Sequence, residues 1–432
     1  MRYEPRKRQF KWTWKFGVIL AAGIVVLSFM LSYLFRSTEI QGDFHACGFS
    51  NSEMRDLQEQ SAQTIELEDY LFYGETLALY MDPYDGEEDG IYGKTMELVN
   101  ICSGEQFSFT IGNTADRQIY LPDLSDGTYE IYLIDSFQRK RVVFANAVHS
   151  EPFQTIRREG KVKEVTLVAD RTVLDQYGGS LSAHYAFLQV DTVTPSQEKA
   201  DVLIDPYGLY TTIWGGIDVG FSENGIVEYQ ETYEVATAMK EQLESYGLRV
   251  LLARGEEEVV EYYGENSRAS KGYEANANYI ISIGFTYGSG HAGIETYHGV
   301  QSSSRLSNDL MYYLLKTYAI AGSTTYTSQT NIAGIFSSSY AEGDDGRSVY
   351  DSMPVFRESG GKATLAGQYN ERSSANQIYA NANGMQGIEL DLACVSDEDD
   401  IKNYEKNKET IIRGLSEGFV YALGIDPANA EG

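Results

Sequence analysis

The residues able to do chemistry in this chain are mostly carboxylates. It holds 63 Asp and Glu against 34 Lys and Arg, with only five histidines: His45, His149, His184, His291 and His298. Three cysteines, Cys47, Cys102 and Cys394, form no C-x-x-C pair, so a thiolate zinc site is excluded. Cys47 and Cys102 share the N-terminal part of the outer region and are the candidate disulfide. No G-x-x-x-x-G-K-S/T phosphate loop and no G-x-S-x-G nucleophile elbow occurs. Ser359-Gly-Gly-Lys362 is Gly-rich but follows Phe-Arg-Glu, which fits a turn. Hydrolysis by paired carboxylates needs acids whose pKa values are pushed apart at a set separation. Spacing along the chain does not supply that separation.

Charge divides the 432 residues unevenly. Residues 1–36 hold seven basic side chains (Arg2, Arg6, Lys7, Arg8, Lys11, Lys15 and Arg36) and one acid, Glu4. The remainder carries 27 basic and 62 acidic groups, a net charge of −35. Such a surface repels phosphate backbones and argues against nucleic-acid binding. Phe16 to Phe35 is a run of 20 residues without charge, enough at about 1.5 Å per residue to cross a hydrocarbon core of ~30 Å. It lacks the small-residue cleavage site of a signal peptide. The expectation is an uncleaved signal-anchor helix over 16–35, with the basic segment 1–15 in the cytoplasm and the rest outside the cell membrane.

Beyond the anchor, 37–70 reads as a polar stalk, because Leu57, Ile65 and Leu67 are too sparse to make a core of their own. From 71 to 190, short alternating strands such as Thr76-Leu-Ala-Leu-Tyr80 and Tyr129-Glu-Ile-Tyr-Leu-Ile134 are separated by turn pairs such as Asp126-Gly127. This predicts an all-β sandwich-like domain. Thr192 to Lys199 is linker-like. Over 200–425 the period changes. Val202-Leu-Ile204, Arg249 to Ala253, Tyr279 to Ile283 and Gly387 to Leu392 read as strands, alternating with helices over Tyr229–Tyr246, Leu306–Thr317 and Ile411–Ala422. The expected fold is α/β, with a mainly parallel sheet and flanking helices whose ligands collect at the carboxyl ends of the strands. Gly334 to Ser352 reads as a long surface loop.

Several segments of 200–425, in order, resemble the zinc-dependent N-acetylmuramoyl-L-alanine amidases of peptidoglycan. They are Val202-Leu-Ile-Asp-Pro206, Gly215-Gly-Ile-Asp-Val-Gly220, Gly225-Ile-Val-Glu228, Gly247 to Arg254, Arg268 with Ala275-Asn276, Ile280-Ile-Ser-Ile283, Gly293-Ile-Glu-Thr-Tyr297 and Asp391 to Asp397. The resemblance implies a Zn²⁺ held by two imidazoles and a carboxylate, with a second carboxylate as general base on the bound water. Glu228 matches the zinc carboxylate. The first imidazole position falls on Gly208 or Trp214, depending on how an insertion is placed, and the second on Gly284. Asp391 takes the general-base position, with Glu389 two residues earlier on the same strand face.

With both imidazoles replaced, the resemblance implies an amidase-like wall protein without zinc or catalysis. It is expected to bind peptidoglycan or a cell-wall enzyme. The alternative is an active amidase with zinc, cutting the bond between sugar and stem peptide. Glu295, Arg357 and Glu358 join Glu228, Glu389 and Asp391 as candidates to line the cleft. Tyr207, Tyr210 and Trp214 offer faces that could stack on sugar rings. His291 and His298 flank Gly293–Tyr297; His291 reads as a solvated loop histidine, with a substitute zinc ligand as its alternative.

Overall fold

The computed structural model describes residues 49–59, 63–82, 89–175, 179–196, 198–212, 215–262, 266–324, 330–342, 349–360 and 383–429. The chain divides into two compact units, Met1–Phe44 and His45–Gly432, and all described residues lie in the second. The expected anchor over 16–35 lies outside the described residues. Among those described, no helix is long and apolar enough to cross a membrane.

The expected stalk is folded from Ser50 onward. Ser50 caps helix α1 (Asn51–Gln58) through a reciprocal capping box with Glu53. Strand β1 (Thr64–Leu67) then runs parallel to β5 (Gln138–Phe144), Thr64 opposite Arg141. Leu57 and Leu67 are fully buried. Leu67 enters a core built by later residues, and the Leu57 carbonyl accepts from Ser182, pairings that spacing along the chain does not reveal.

The β part is two layers. A ten-stranded sheet includes β1, β5 and the long strand β4 (Gly127–Asp135), and a four-stranded sheet contains β2 (Asp69–Tyr73) and β3 (Thr76–Tyr80). Phe72, Leu77 and Leu79 of the small sheet share one core with Met96, Ile131, Leu133, Val165 and Leu188 of the large one. The fourth strand of the small sheet is Asn383–Gly384, from the far end of the chain, paired in parallel with Phe72–Tyr73.

That exchange ties the β part to the α/β part, and other bonds reinforce it. The Arg158 guanidinium pairs with the buried Glu75 carboxylate (2.6 Å) and donates to the Leu423 carbonyl (2.9 Å). The Asn278 amide donates to the carbonyls of Gly74 (2.8 Å) and Gln154 (3.0 Å). Lys199, expected in a linker, is buried, its ammonium donating to Ala200 O, Asn276 O and Asn278 Oδ1. The linker reading is corrected there: a charged residue is inside because three oxygens of this junction accept from it.

In the α/β part, six strands lie in the order β7 (Val250–Leu252), β6 (Val202–Pro206), β8 (Tyr279–Thr286), β11 (Gln386–Cys394), β9 (Glu295–His298) and β10 (Ile335–Ser337). The first four are parallel, β9 opposes β11, and β10 is parallel to β9. Strand β10 and the hairpin of Tyr340–Glu342 with Val349–Asp351 occupy much of what reads as a loop from Gly334 to Ser352.

Alternate residues of the central strands, among them Ile204, Ile281, Ile283, Ile388, Leu390 and Leu392, face helices α2 (Glu228–Ser245), α3 (Arg305–Tyr318) and α5 (Glu398–Ala422) and form the main core. Helix α2 ends on Gly247 at φ 82°, with Gly247 N–H bonded to Glu244 O and Leu248 N–H to Leu243 O. Only a residue at ease with positive φ closes a helix this way. The opposite face of the sheet is covered partly by helix α4 (Pro354–Ser359), whose Val355 and Phe356 pack with Leu203 and Ile280.

Candidate functional site

Strand periodicity that sends isoleucines toward the helices sends polar residues to the other face, where the register assembles them in rows. Asp205 lies opposite Ser282, Ser282 opposite Glu389, and Glu389 opposite Tyr297. One step further, Gly284 lies opposite Asp391, and Asp391 opposite Glu295. Glu228, the first residue of α2, approaches the second row: a Cβ placed on Gly284 would be 3.7 Å from Glu228 Oε1 and 3.0 Å from Asp391 Oδ1. Glu228, Asp391, Glu295 and Glu389 therefore gather at the carboxyl ends of β8 and β11, brought together from three chain segments far apart in sequence.

Their environments differ. The Glu228 carboxylate accepts the backbone N–H of Phe221 at Oε2 (2.7 Å) and of Phe285 at Oε1 (3.0 Å). Burial nonetheless pushes its pKa up to about 7, against the lowering effect of those two bonds. Glu295 is fully buried and accepts from Tyr297 OH (2.9 Å), with His291 Nδ1 at 3.2 Å. Asp391 is 6% exposed, and no hydrogen bond reaches its carboxyl group from the described residues. Burial, and then the charges of Glu389, Glu295 and Glu228, raise its pKa far above the ordinary carboxylate range. Glu389 is half-buried and raised by burial, with Arg268 acting in the opposite sense.

Arg268 is the cation beneath this group. Its guanidinium donates to Asp205 (3.1 Å) and lies between the rings of Tyr210 (4.9 Å) and Tyr262 (4.6 Å). Tyr210 OH also donates to Asp205 (3.0 Å). Tyr210 is fully buried, so its expected role in stacking on sugars is corrected to holding the Asp205–Arg268 pair. Tyr207 is half-buried and edge-on to Tyr210 at 5.3 Å. Trp214 lies outside the described residues.

Arg357 and Glu358 are buried in α4, their Nε and Oε1 3.9 Å apart. The helix crosses β11 at Gly387, where a Cβ would meet the Phe356 ring at 2.6 Å. That point is about 13 Å along the strand from Asp391 at ~3.3 Å per residue, so the helix crosses away from the Asp391 end of the site.

Other residues come to the site without an evident signal in the sequence. His291, read as solvated, is held by Glu295, whereas His298 stays out of the site, opposite Ile388 on β9, buried with Nδ1 donating to the carbonyls of Gly299 and Ser302. Phe221 and Tyr287 stack at 5.3 Å on the rim, beside the exposed Ile217 and Val219. The alternation Ile217, Val219, Phe221 is visible in the sequence, but its exposure is not. Cys102 is disulfide-bonded, Cys394 is free and buried, and Cys47 lies outside the described residues.

The two imidazoles that the resemblance implies for a zinc do not fit at Gly208 and Gly284. A Cβ on Gly208 (φ 94°) would meet Tyr229 Cβ at 2.7 Å, leaving no room for an imidazole. Above Gly284 the Asp391 carboxyl occupies the approach, so an imidazole has no room there either. Among the described residues, no three His, Cys, Asp or Glu side chains are grouped to hold a metal ion.

No family model matches the chain, and no curated protein does. Among solved structures it is similar to Cwp6 from Clostridium difficile, at 17% identity and a TM-score of 0.34 over 53% of this chain and 29% of that one. It is also similar to the N-acetylmuramoyl-L-alanine amidase AmiC2 of Nostoc punctiforme, at 15% identity and 0.34 over 53% and 99%. The catalytic domain of the amidase CwlV from Bacillus (Paenibacillus) polymyxa var. colistinus matches at 19% identity and 0.34 over 52% and 99%. Scores this low add no weight to a functional reading, which must come from the residues.

Proposed function

We propose that this chain is a membrane-anchored, extracytoplasmic cell-wall protein whose amidase-like part binds peptidoglycan or a wall enzyme instead of cutting peptidoglycan. The observation carrying this reading is the crowding at Gly208 and Gly284, the positions where the resemblance calls for imidazoles. The resemblance calls for two zinc imidazoles, whereas a Cβ on Gly208 would meet Tyr229 Cβ at 2.7 Å and one on Gly284 would stand 3.0 Å from Asp391 Oδ1. The residues facing Glu228 are Gly284 and a protonation-prone Asp391, neither of which replaces an imidazole. The apolar rim of Ile217, Val219 and Phe221 supports a binding surface at the same end of the sheet.

The test is metal analysis of the purified chain together with release of stem peptides from isolated walls. The expected result is neither stoichiometric zinc nor release, alongside retention on sacculi or on a wall enzyme. Glu228→Ala should lose about 3 kcal/mol of stability by stranding two amide donors, with the metal content unchanged. Zinc that binds at one equivalent and leaves with Glu228→Ala would sink the reading in favour of an active amidase.

A further inference from the structure

We propose that the acidic end of the α/β sheet is a receptor for a primary ammonium group, delivered by a lysine side chain of a partner protein. The inference rests on the reading of this end of the sheet as a binding surface and names its occupant. Asp391 carries the argument. It is 6% exposed, yet no hydrogen bond or ion pair reaches its carboxyl group from the described residues. Its Oδ1 stands over Gly284, 3.0 Å from the position of a Cβ there, with Glu228 Oε1 at 3.7 Å and Tyr207 Cβ at 3.8 Å from the same point. Burying a carboxyl group without a partner is costly, and an apolar residue at this place would avoid the cost. A donor arriving from outside supplies what the fold withholds.

Charge identifies the donor. Arg268 is committed to Asp205, and His291 faces Glu295. Glu228, Glu389 and Asp391 make no ion pair among the described residues, and neither does Asp218, which accepts from Gly220 N–H beside them. One ligand cation answers these acids together. A metal ion does not, since no three such side chains among the described residues are grouped to hold one. An ammonium has three donors on a compact charge and needs only hydrogen-bond distances. A guanidinium prefers two parallel acceptors on one carboxylate, whereas the oxygens that meet over Gly284 belong to different side chains.

The approach to the acids is aromatic. The backbone N–H groups of Phe221 and Phe285 hold Glu228, and the Phe221 ring stacks on Tyr287 at 5.3 Å, with both rings exposed. This stack therefore stands next to the carboxylates. The four methylenes of a lysine can lie along such a wall while its ammonium reaches past it. Ile217 and Val219, exposed on the same segment as Phe221, favour a protein over a glycan strand, because apolar side chains of a partner cover them and sugar hydroxyls do not.

The experiment is calorimetric titration of the full chain with acetyl-leucyl-lysyl-leucinamide and with its norleucine counterpart, which keeps the stem and lacks the ammonium. The lysine peptide should bind at least about tenfold more tightly, as one charge-assisted hydrogen bond requires. Asp391→Asn, which keeps the shape, should erase that preference, and Phe221→Ala should weaken both peptides severalfold. Equal binding of the two peptides to the parent chain overturns the proposal, as does a preference that survives Asp391→Asn. An arginine counterpart that binds more tightly than the lysine peptide overturns the ammonium assignment. Sacculi that displace the lysine peptide, and fail to once their amines are acetylated, overturn the protein occupant. Retention on sacculi or on a wall enzyme is read in parallel. If it persists while the peptides bind equally, the ammonium receptor falls and the proposed function stands; loss of all binding refutes both.

Discussion

Asp391 is a carboxyl group with three acidic neighbours and no donor among the described residues, and its proton is the main way it can be accommodated. Because its folded pKa is raised, the folded state holds more protons than the unfolded chain between the two pKa values. The stabilising contribution is full below about pH 4, the unfolded value for Asp, and is lost as pH rises through the folded pKa. Glu228 acts in the same direction, with its loss complete above about 7. Asp391→Asn keeps the shape and removes the titration. Its melting temperature should exceed that of the parent at pH 8, with the difference shrinking steadily toward pH 4. A pH-independent difference in thermal denaturation would contradict this assignment.

Helices α3 and α5 approach each other closely at two glycines. A Cβ on Gly414 would meet Leu314 Cδ1, and one on Gly418 would lie 2.9 Å from the Leu310 carbonyl oxygen. The first neighbour is a side chain and can move; the second is backbone and cannot without separating the helices. Gly418→Ala should therefore destabilise by about 2 kcal/mol, within the range for overpacking, and Gly414→Ala by less, as measured by urea unfolding. The helices themselves are legible from sequence. Ala236, Met239 and Leu243 mark α2, and Leu306, Leu310 and Leu314 mark α3, because one apolar stripe faces one core. The last helix begins at Glu398, well before the Ile411 expected from the sequence, since Asp397 caps it and polar residues fill its first turns. A stretch without apolar spacing gives periodicity nothing to detect.

Over the whole molecule, the β part and the α/β part share a strand, a buried ion pair and a buried lysine, and they should unfold together. Arg158→Ala leaves the fully buried Glu75 without its cation and should cost about 3 kcal/mol, in the range for breaking a buried pair. The expected outcome in calorimetry is a single transition displaced to lower temperature for both parts. Two separated transitions in the parent chain would show that the junction is not cooperative. A boundary near 192–199 is legible as polar residues with Pro195, yet Lys199 lies inside the joint. Two of the three oxygens that accept from it come from residues nearly eighty positions later.

Sequence alone determined the strand and helix periods, the split of charge between residues 1–36 and the acidic remainder, and the scarcity of imidazoles. Each is a local or summed property, readable without knowing which residues meet. It also placed Glu228 at the start of a helix and Asp391 on a strand face. Tertiary structure decided what those positions mean. Only the registers of β6, β8, β11 and β9 bring Asp205, Glu389, Asp391 and Glu295 onto one face. Only the fold occupies both Glu228 oxygens with amides from residues 221 and 285. Tyr210 likewise passes from an aromatic face for sugars to a buried support of Asp205. Burial and hydrogen-bond partners depend on contacts between distant segments, and no spacing along the chain records them.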